Sequence, residues 1–237
     1  MLTGIKDILI ITTPEDQVQF HRLLGDGSKW GINLSYEIQP KPEGLAQAFI
    51  LAEDFLAGSP SAMILGDNIF FGHGLPEVLT AADKPKCGAI AFGYHVSDPK
   101  RYGVIDFDEN GRVKGITEKP EFPSSSYAVT GLYFVDETAP ERAKLVERSK
   151  RGELEITSLL ESYLKDGNLS IEKLGRGYAW FDTGTHASLL DAGNFVRTLT
   201  ERQGLQIGSP DEISYQRKWI TKEEITAHSK KFGKNAS

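Results

Sequence analysis

Ala62-Met63-Ile64-Leu65-Gly66-Asp67-Asn68 sets an aspartate where a short apolar run meets a glycine. Such a run, bounded by a turn residue, reads as a buried strand. The arrangement recurs far downstream in Tyr178-Ala179-Trp180-Phe181-Asp182-Thr183-Gly184-Thr185. Each aspartate is expected to precede a turn leading towards a helix. In an open α/β sheet, ligands bind in the crevice beyond the carboxyl ends of the strands. Two acids delivered there can share one hard cation such as Mg2+ with a phosphate-bearing substrate. Either can instead cap the helix after it, a frequent role for aspartate at such junctions.

Outward from these stretches, apolar runs alternate with helical periodicity, which points to a sheet flanked by helices. Residues 7–12 form a buried-type strand, and Thr13-Pro14 opens a helix through Leu24. A strand over 32–39 precedes a helix over 44–56, whose Leu45, Ala48, Phe49, Ala52 and Phe55 share one face. A helix over 75–84 and a long strand over 87–96 follow. The pattern then changes: short strands at 102–107 and 112–117 flank Asp108-Glu109-Asn110-Gly111, an inserted antiparallel hairpin. A strand at 127–135, helices at 136–148 and 155–166, and strands at 168–174 and before Asp182 complete the sheet. Thr185 caps a helix that Gly204 stops near Gln203, with Leu189, Phe195, Val196 and Leu199 packed inward. The expected class is α/β, with a mixed, mostly parallel Rossmann-like sheet. Residues 1–204 read as one domain and 205–237 as a helical tail.

At 237 residues the chain can bury a sizeable core. A net charge of −6 and a pI near 5.5 argue against a nucleic-acid surface. No stretch is apolar enough to span a bilayer. The single cysteine, Cys87, excludes an internal disulfide framework and agrees with a reducing cytoplasm. Cys87 itself reads as a buried structural thiol. The histidines at 21, 73, 95, 186 and 228 show no metal-ligand spacing. Neither a Gly-x-Ser-x-Gly elbow nor a Walker-type loop occurs.

Other segments have chemistry suited to a ligand. The loop Gln39-Pro40-Lys41-Pro42-Glu43-Gly44 runs into a helix start, where backbone N–H groups suit an acceptor and the Gln39 amide suits a base edge. It serves equally as an ordinary strand–helix connection. Gly103 lets a ligand approach the backbone closely. In Glu118-Lys119-Pro120 a carboxylate can accept from sugar hydroxyls beside an ammonium that neutralises phosphate, although Glu-Lys pairs are common on solvated surfaces. Arg151-Gly152-Glu153-Leu154-Glu155-Ile156-Thr157 opens a helix whose acids can simply complement its dipole.

Read in order, these motifs, with Arg101-Tyr102-Gly103-Val104 and Tyr127-Ala128-Val129-Thr130-Gly131-Leu132-Tyr133, resemble the glucose-1-phosphate thymidylyltransferases over nearly the whole chain. The resemblance implies transfer of a thymidylyl group from dTTP to glucose 1-phosphate, giving dTDP-glucose for dTDP-rhamnose synthesis. It implies Mg2+ on Asp67 and Asp182, and thymine at Gln39 and Gly44. Glucose would meet Gly103, Glu118, Val129 and Tyr133, and its phosphate Lys119. It further implies a homotetramer; the cytoplasm, with neither nucleic acid nor membrane as partner, is the expectation from the cysteine, charge and hydropathy given above. The family's Gly-Gly-x-Gly-Thr-Arg-Leu-x-Pro run does not occur in these 237 residues. The expectation is therefore an N-terminally truncated chain, lacking the first strand-loop-helix unit and inactive or nearly so. A relative that uses UTP and a non-catalytic sugar-nucleotide binding module are the alternative readings.

Overall fold

The computed structural model describes residues 1–84 and 87–231. In chain order the first elements are β1 (Asp7–Thr12), α1 (Pro14–Leu24), β2 (Asn33–Ile38), α2 (Gln47–Leu51), α3 (Glu53–Leu56) and β3 (Ser61–Ile64). There follow β4 (Asn68–Gly72), α4 (Leu75–Ala82), β5 (Ala89–His95), β6 (Gly103–Phe107), β7 (Val113–Glu118) and β8 (Tyr127–Val135). The last are α5 (Ala139–Lys144), α6 (Ile156–Lys165), β9 (Leu169–Leu174), β10 (Tyr178–Asp182), α7 (His186–Gln203), α8 (Pro210–Gln216) and α9 (Lys222–Lys231). They group into two compact units, Met1–Lys41 with the chain from Phe195 onward, and Pro42–Asn194.

In the first unit β1 and β2 pair in parallel, from Asp7 opposite Asn33 to Thr12 opposite Ile38. Parallel neighbours need a crossover, and α1 supplies it. Thr13 precedes Pro14 as expected, but its hydroxyl donates to Asp16 Oδ2 at 2.9 Å instead of accepting a backbone N–H.

The second unit is built on a sheet ordered β7-β6-β8-β5-β9, with β3 also on β8. β8 lies at its centre and is buried almost throughout, which explains its continuous apolar sequence. Val129, Tyr133 and Val135 of β8 pack with Ile105, Leu159, Leu160 and Tyr163 in one core. Leu159 is completely buried, and cutting it to alanine should cost about 2–5 kcal/mol. The hairpin forms as its Asn-Gly turn predicts, with Gly103 opposite Glu118 in β6 and β7.

The mixed α/β class stands, but the balance of strand directions differs from the expectation. In this unit β5–β9 is parallel, whereas β3–β8, β5–β8, β6–β7, β6–β8 and β4–β10 are antiparallel. The central β8 runs against three neighbours, a long-range pairing that local periodicity does not encode. Other corrections are local. The helix expected over 44–56 starts only at Gln47 and breaks at Ala52. The reason is that Ala46 N–H donates to Leu154 O at 3.0 Å and Leu154 N–H to Glu43 O at 2.7 Å, which removes those groups from a helix. Leu45 and Phe55 consequently remain exposed while Ala46 and Phe49 enter the core. On α7, Leu189 is 56% exposed, and Ala192 is the residue it buries. Cys87 is exposed.

Candidate functional site

Asp67 lies in the turn between β3 and β4, and Asp182 ends β10. No helix follows Asp67: Asn68-Ile69-Phe70-Phe71-Gly72 is a strand, because its aromatic and branched side chains pair along β10. The register places Asp182 opposite Asn68. Thr183 then donates both its N–H (2.9 Å) and its hydroxyl (2.8 Å) to Asp67 O, which locks the two turns together. Neither aspartate caps a helix. Asp182 Oδ1 accepts Gly184 N–H at 3.0 Å, Asp67 Oδ1 accepts Asn68 Nδ2 at 2.8 Å, and α7 is capped by Thr185, whose hydroxyl accepts Ser188 N–H at 3.2 Å.

The two carboxylates share one small volume. A Cβ built on Gly184 would lie 3.1 Å from Asp182 Oδ1 and 3.6 Å from Asp67 Oδ2. Among the described residues no Lys, Arg or His forms an ion pair with either. Nor do these residues gather three or more His, Cys, Asp or Glu that could hold a metal. Two hard oxygen donors with the remaining positions open fit Mg2+, which keeps several waters and takes substrate phosphate oxygens.

The second cluster surrounds Glu118. A Cβ on Gly103 would lie 2.6 Å from Thr157 Cγ2, 3.5 Å from Glu118 Oε2 and 3.7 Å from Val129 Cγ2, so these four residues converge and only glycine fits. Thr157 Oγ1 donates to Glu118 Oε2 at 3.2 Å, and Arg151 Nη2 reaches Glu118 Oε1 at 3.2 Å. Lys119 Nζ is 3.8 Å from the same oxygen. Arg151 is itself fixed by buried Glu155, at 2.9 and 3.0 Å to its two oxygens. Burial raises the Glu118 carboxyl above its ordinary value, and the neighbouring Glu155 charge adds to this. Lys119, the Thr157 hydroxyl and Arg151 pull the other way. Lys119 stands at φ +41°, a left-handed conformation unusual for a side-chain-bearing residue and doubly so before a proline. Its N–H donates to Tyr102 O at 3.0 Å, which holds that turn.

Tyr102 joins the clusters. Its backbone receives Lys119, its chain neighbour is Gly103, and its ring lies 5.1 Å from the Trp180 ring, two residues before Asp182. Burial raises the Tyr102 hydroxyl pKa, Arg101 opposes this, and the Asp182 charge adds to it. Tyr102 thereby links the strand that ends at Asp182 to the turn that carries Lys119.

The remaining candidates are placed differently. Tyr133 is buried at 3% exposure in the core beneath Glu118, where burial and then the Glu118 charge push its hydroxyl well above its ordinary value. Gly44, at φ +108°, lies where a Cβ would strike the Leu154 backbone, so its glycine has a packing reason. Gln39 belongs to the first unit, and its N–H donates to Thr12 O at 2.8 Å. Sequence reasoning gave Arg151 and Thr157 no role of their own. Their signal was the Arg-x-x-x-Glu-x-Thr spacing, which sets a cation and a hydroxyl at the start of α6.

Residues 1–198 match the family model described as nucleotidyl transferase. A glucose-1-phosphate thymidylyltransferase of Xanthomonas campestris pv. campestris is 56% identical over 225 residues, 95% of this chain and 76% of that protein. One from Neisseria gonorrhoeae is 51% identical over 236 residues, 100% of this chain and 82% of that protein. A solved Bacillus anthracis structure, assigned as a glucose-1-phosphate thymidylyltransferase in complex with sucrose, is 38% identical with a TM-score of 0.74. It covers 86% of this chain and 79% of its own. Among the described residues no helix is long and apolar enough to cross a membrane. With these relatives and the Rossmann-like α/β fold, the chain belongs to the nucleotidyl transferases, in the glucose-1-phosphate thymidylyltransferase family.

Proposed function

We propose that this site transfers a thymidylyl group from dTTP to glucose 1-phosphate, giving dTDP-glucose and pyrophosphate. The observation that carries the reading is the link, across Tyr102, between an uncompensated carboxylate pair and the cluster of Gly103, Glu118, Val129 and Thr157 edged by Lys119 and Arg151. The relatives named above carry the same activity in their names.

The nucleophile is a phosphate oxygen of the sugar phosphate, already anionic, so no general base is needed. That oxygen bonds to the α-phosphorus of dTTP as the bond to the β-phosphate breaks and pyrophosphate departs. Catalysis then rests on alignment and on cancelling charge. Asp67 and Asp182 would hold Mg2+, which when bound neutralises and orients phosphate oxygens. Glu118 accepts from the sugar hydroxyls, and Gly103 and Val129 bound the ring. Lys119 and Arg151 face the sugar phosphate, and thymine is assigned to the Gly44 loop. The dTDP-rhamnose pathway, a cytoplasmic location and tetrameric assembly belong to the same proposal and rest on family membership.

The 237 residues contain no Gly-Gly-x-Gly-Thr-Arg-Leu-x-Pro run to cradle the triphosphate. We therefore include in the proposal that, assayed alone, they turn over far more slowly than a relative carrying it. The test incubates the chain with dTTP, glucose 1-phosphate and Mg2+, measures dTDP-glucose by chromatography, and measures dTDP-glucose binding by calorimetry. Binding together with slow product formation that Asp182→Asn abolishes is the expected result. Absence of both binding and product would overturn the assignment, and turnover equal to the relative's would overturn the slow rate.

A further inference from the structure

The Asp67 carboxylate is held by a chain of hydrogen bonds whose direction can be read from donor and acceptor identity alone. Asn68 Oδ1 accepts two N–H groups, from Trp180 Nε1 at 2.7 Å and from Gly131 N at 3.0 Å. Indole and backbone N–H only donate, so the amide oxygen must face them. The amide nitrogen is then forced to the other side, where Nδ2 donates to Asp67 Oδ1 at 2.8 Å. A flipped amide would set three donors nose to nose and leave Asp67 Oδ1 against an oxygen.

The anchors are stiff. Trp180 is 9% exposed, and its ring is wedged between Tyr94, at 5.9 Å, and Tyr102, at 5.1 Å. Gly131 lies in buried β8, and a Cβ there would come 2.6 Å from Asn68 Oδ1, so the approach of this strand requires glycine. The three groups come from β4, β8 and β10. With Oδ1 engaged, Oδ2 is the Asp67 oxygen that shares the Gly184 volume with Asp182.

We propose that Asn68 and Trp180 are positioning residues, the indole N–H fixing the Asn68 amide so that Asp67 presents Oδ2 to the cation beside Asp182. This rests on the reading of Asp67 and Asp182 as the cation site. Without the indole N–H, Asn68 Oδ1 keeps one donor, the amide gains freedom to turn, and Asp67 loses its fixed partner. Partners that orient a ligand in this way typically alter metal affinity by ~10–100-fold.

The test titrates Mn2+ alone into the protein, following free Mn2+ by electron paramagnetic resonance, with Trp180→Phe retaining an aromatic ring. The proposal expects Mn2+ affinity ~10-fold weaker in Trp180→Phe, and loss of binding in Asp67→Asn and in Asp182→Asn. If those two variants lose Mn2+ while Trp180→Phe binds as the wild type does, the positioning role is overturned and the cation site stands. If the wild type does not bind Mn2+, or the aspartate variants keep it, the cation site fails and takes this proposal with it. Should Trp180→Phe not fold, hydrogen exchange of the Trp180 indole proton in the wild type decides. Strong protection is required, and exchange as fast as an exposed indole refutes the fixed amide.

Discussion

Asp67 and Asp182 each set an oxygen beside Gly184 with no cationic side chain paired to either among the described residues, whereas Glu118 has Arg151 at 3.2 Å and Lys119 at 3.8 Å. The first region carries charge that its own chain leaves unbalanced. In the second, cations of the same chain offset most of the charge: Arg151 is shared among Glu118, Glu153 and Glu155, at 3.2, 3.3 and 2.9 Å. Like charges gathered without a counter-ion cost free energy that a bound cation recovers, which is the physical basis for the cation proposed on the aspartate side. On the side proposed for the sugar phosphate, a bound phosphate would compete with carboxylates for cations already engaged. One region gains a charge on binding, and the other exchanges partners.

The most damaging change to this contrast is the addition of a single methyl group between the aspartates. Gly184 has no left-handed angle, so Gly184→Ala fits the backbone, yet its Cβ would occupy the space 3.1 Å from Asp182 Oδ1. Mn2+ affinity should fall by roughly 100-fold, comparable to the upper range for disturbed metal surroundings, with the melting temperature little changed. Unaltered affinity would mean that the carboxylates do not share a cation.

The exchange on the other side is tested with Glu118→Gln. A hydrogen bond to a charged group contributes about 1.5–3 kcal/mol, so dTDP-glucose binding should weaken by about 10–100-fold. The pH dependence is more specific. Because burial raises the Glu118 carboxyl, it takes up its proton at a higher pH than an ordinary glutamate and loses acceptor capacity as acidity rises. Binding of dTDP-glucose, whose diphosphate stays ionised, should fall as pH drops through that raised value, and Glu118→Gln should lack the fall. Arg151 holds the proton off Glu118, so Arg151→Ala should shift the midpoint to higher pH. A midpoint shifted downward would contradict the assignment of Arg151.

The smallest effect concerns stability. Lys119 in the left-handed region costs about 1–2 kcal/mol relative to a relaxed backbone. Lys119→Gly removes that strain but adds freedom to the unfolded chain worth about 0.5–1 kcal/mol. The melting temperature should therefore rise slightly or hold, while dTDP-glucose binding weakens. A clear fall in melting temperature would show that the lysine side chain is a structural support.

Much of the fold was legible because its signals are local. The Asn110-Gly111 turn set the hairpin, Pro14 opened α1, and the apolar run 127–135 is the buried β8. What escaped depends on partners distant in sequence. Nothing adjacent to Asp67 shows that residues 68–72 will pair with 178–182, and that pairing turns an expected helix approach into a strand. The helix start at Gln47 is set by Leu154, not by its own residues. In the site, Gly103, Glu118 and Val129 were legible as motifs and do converge. Arg151 stayed hidden because its roles lie in the geometry of three carboxylates, and Asn68 because its amide is oriented by Trp180 and Gly131.

The crossing of the Gly44 loop over Leu154 has a consequence for synthesis. The loop is tied by backbone bonds to a residue made much later: Ala46 to Leu154, and Leu154 to Glu43. On a ribosome, which delivers the chain from its N-terminus, residues 43–46 emerge with their hydrogen-bonding groups still facing water. They settle when the segment that also carries Arg151 and Thr157 arrives. The loop and the Glu118 cluster are thereby completed in one late event, and a chain stalled before Leu154 would have neither.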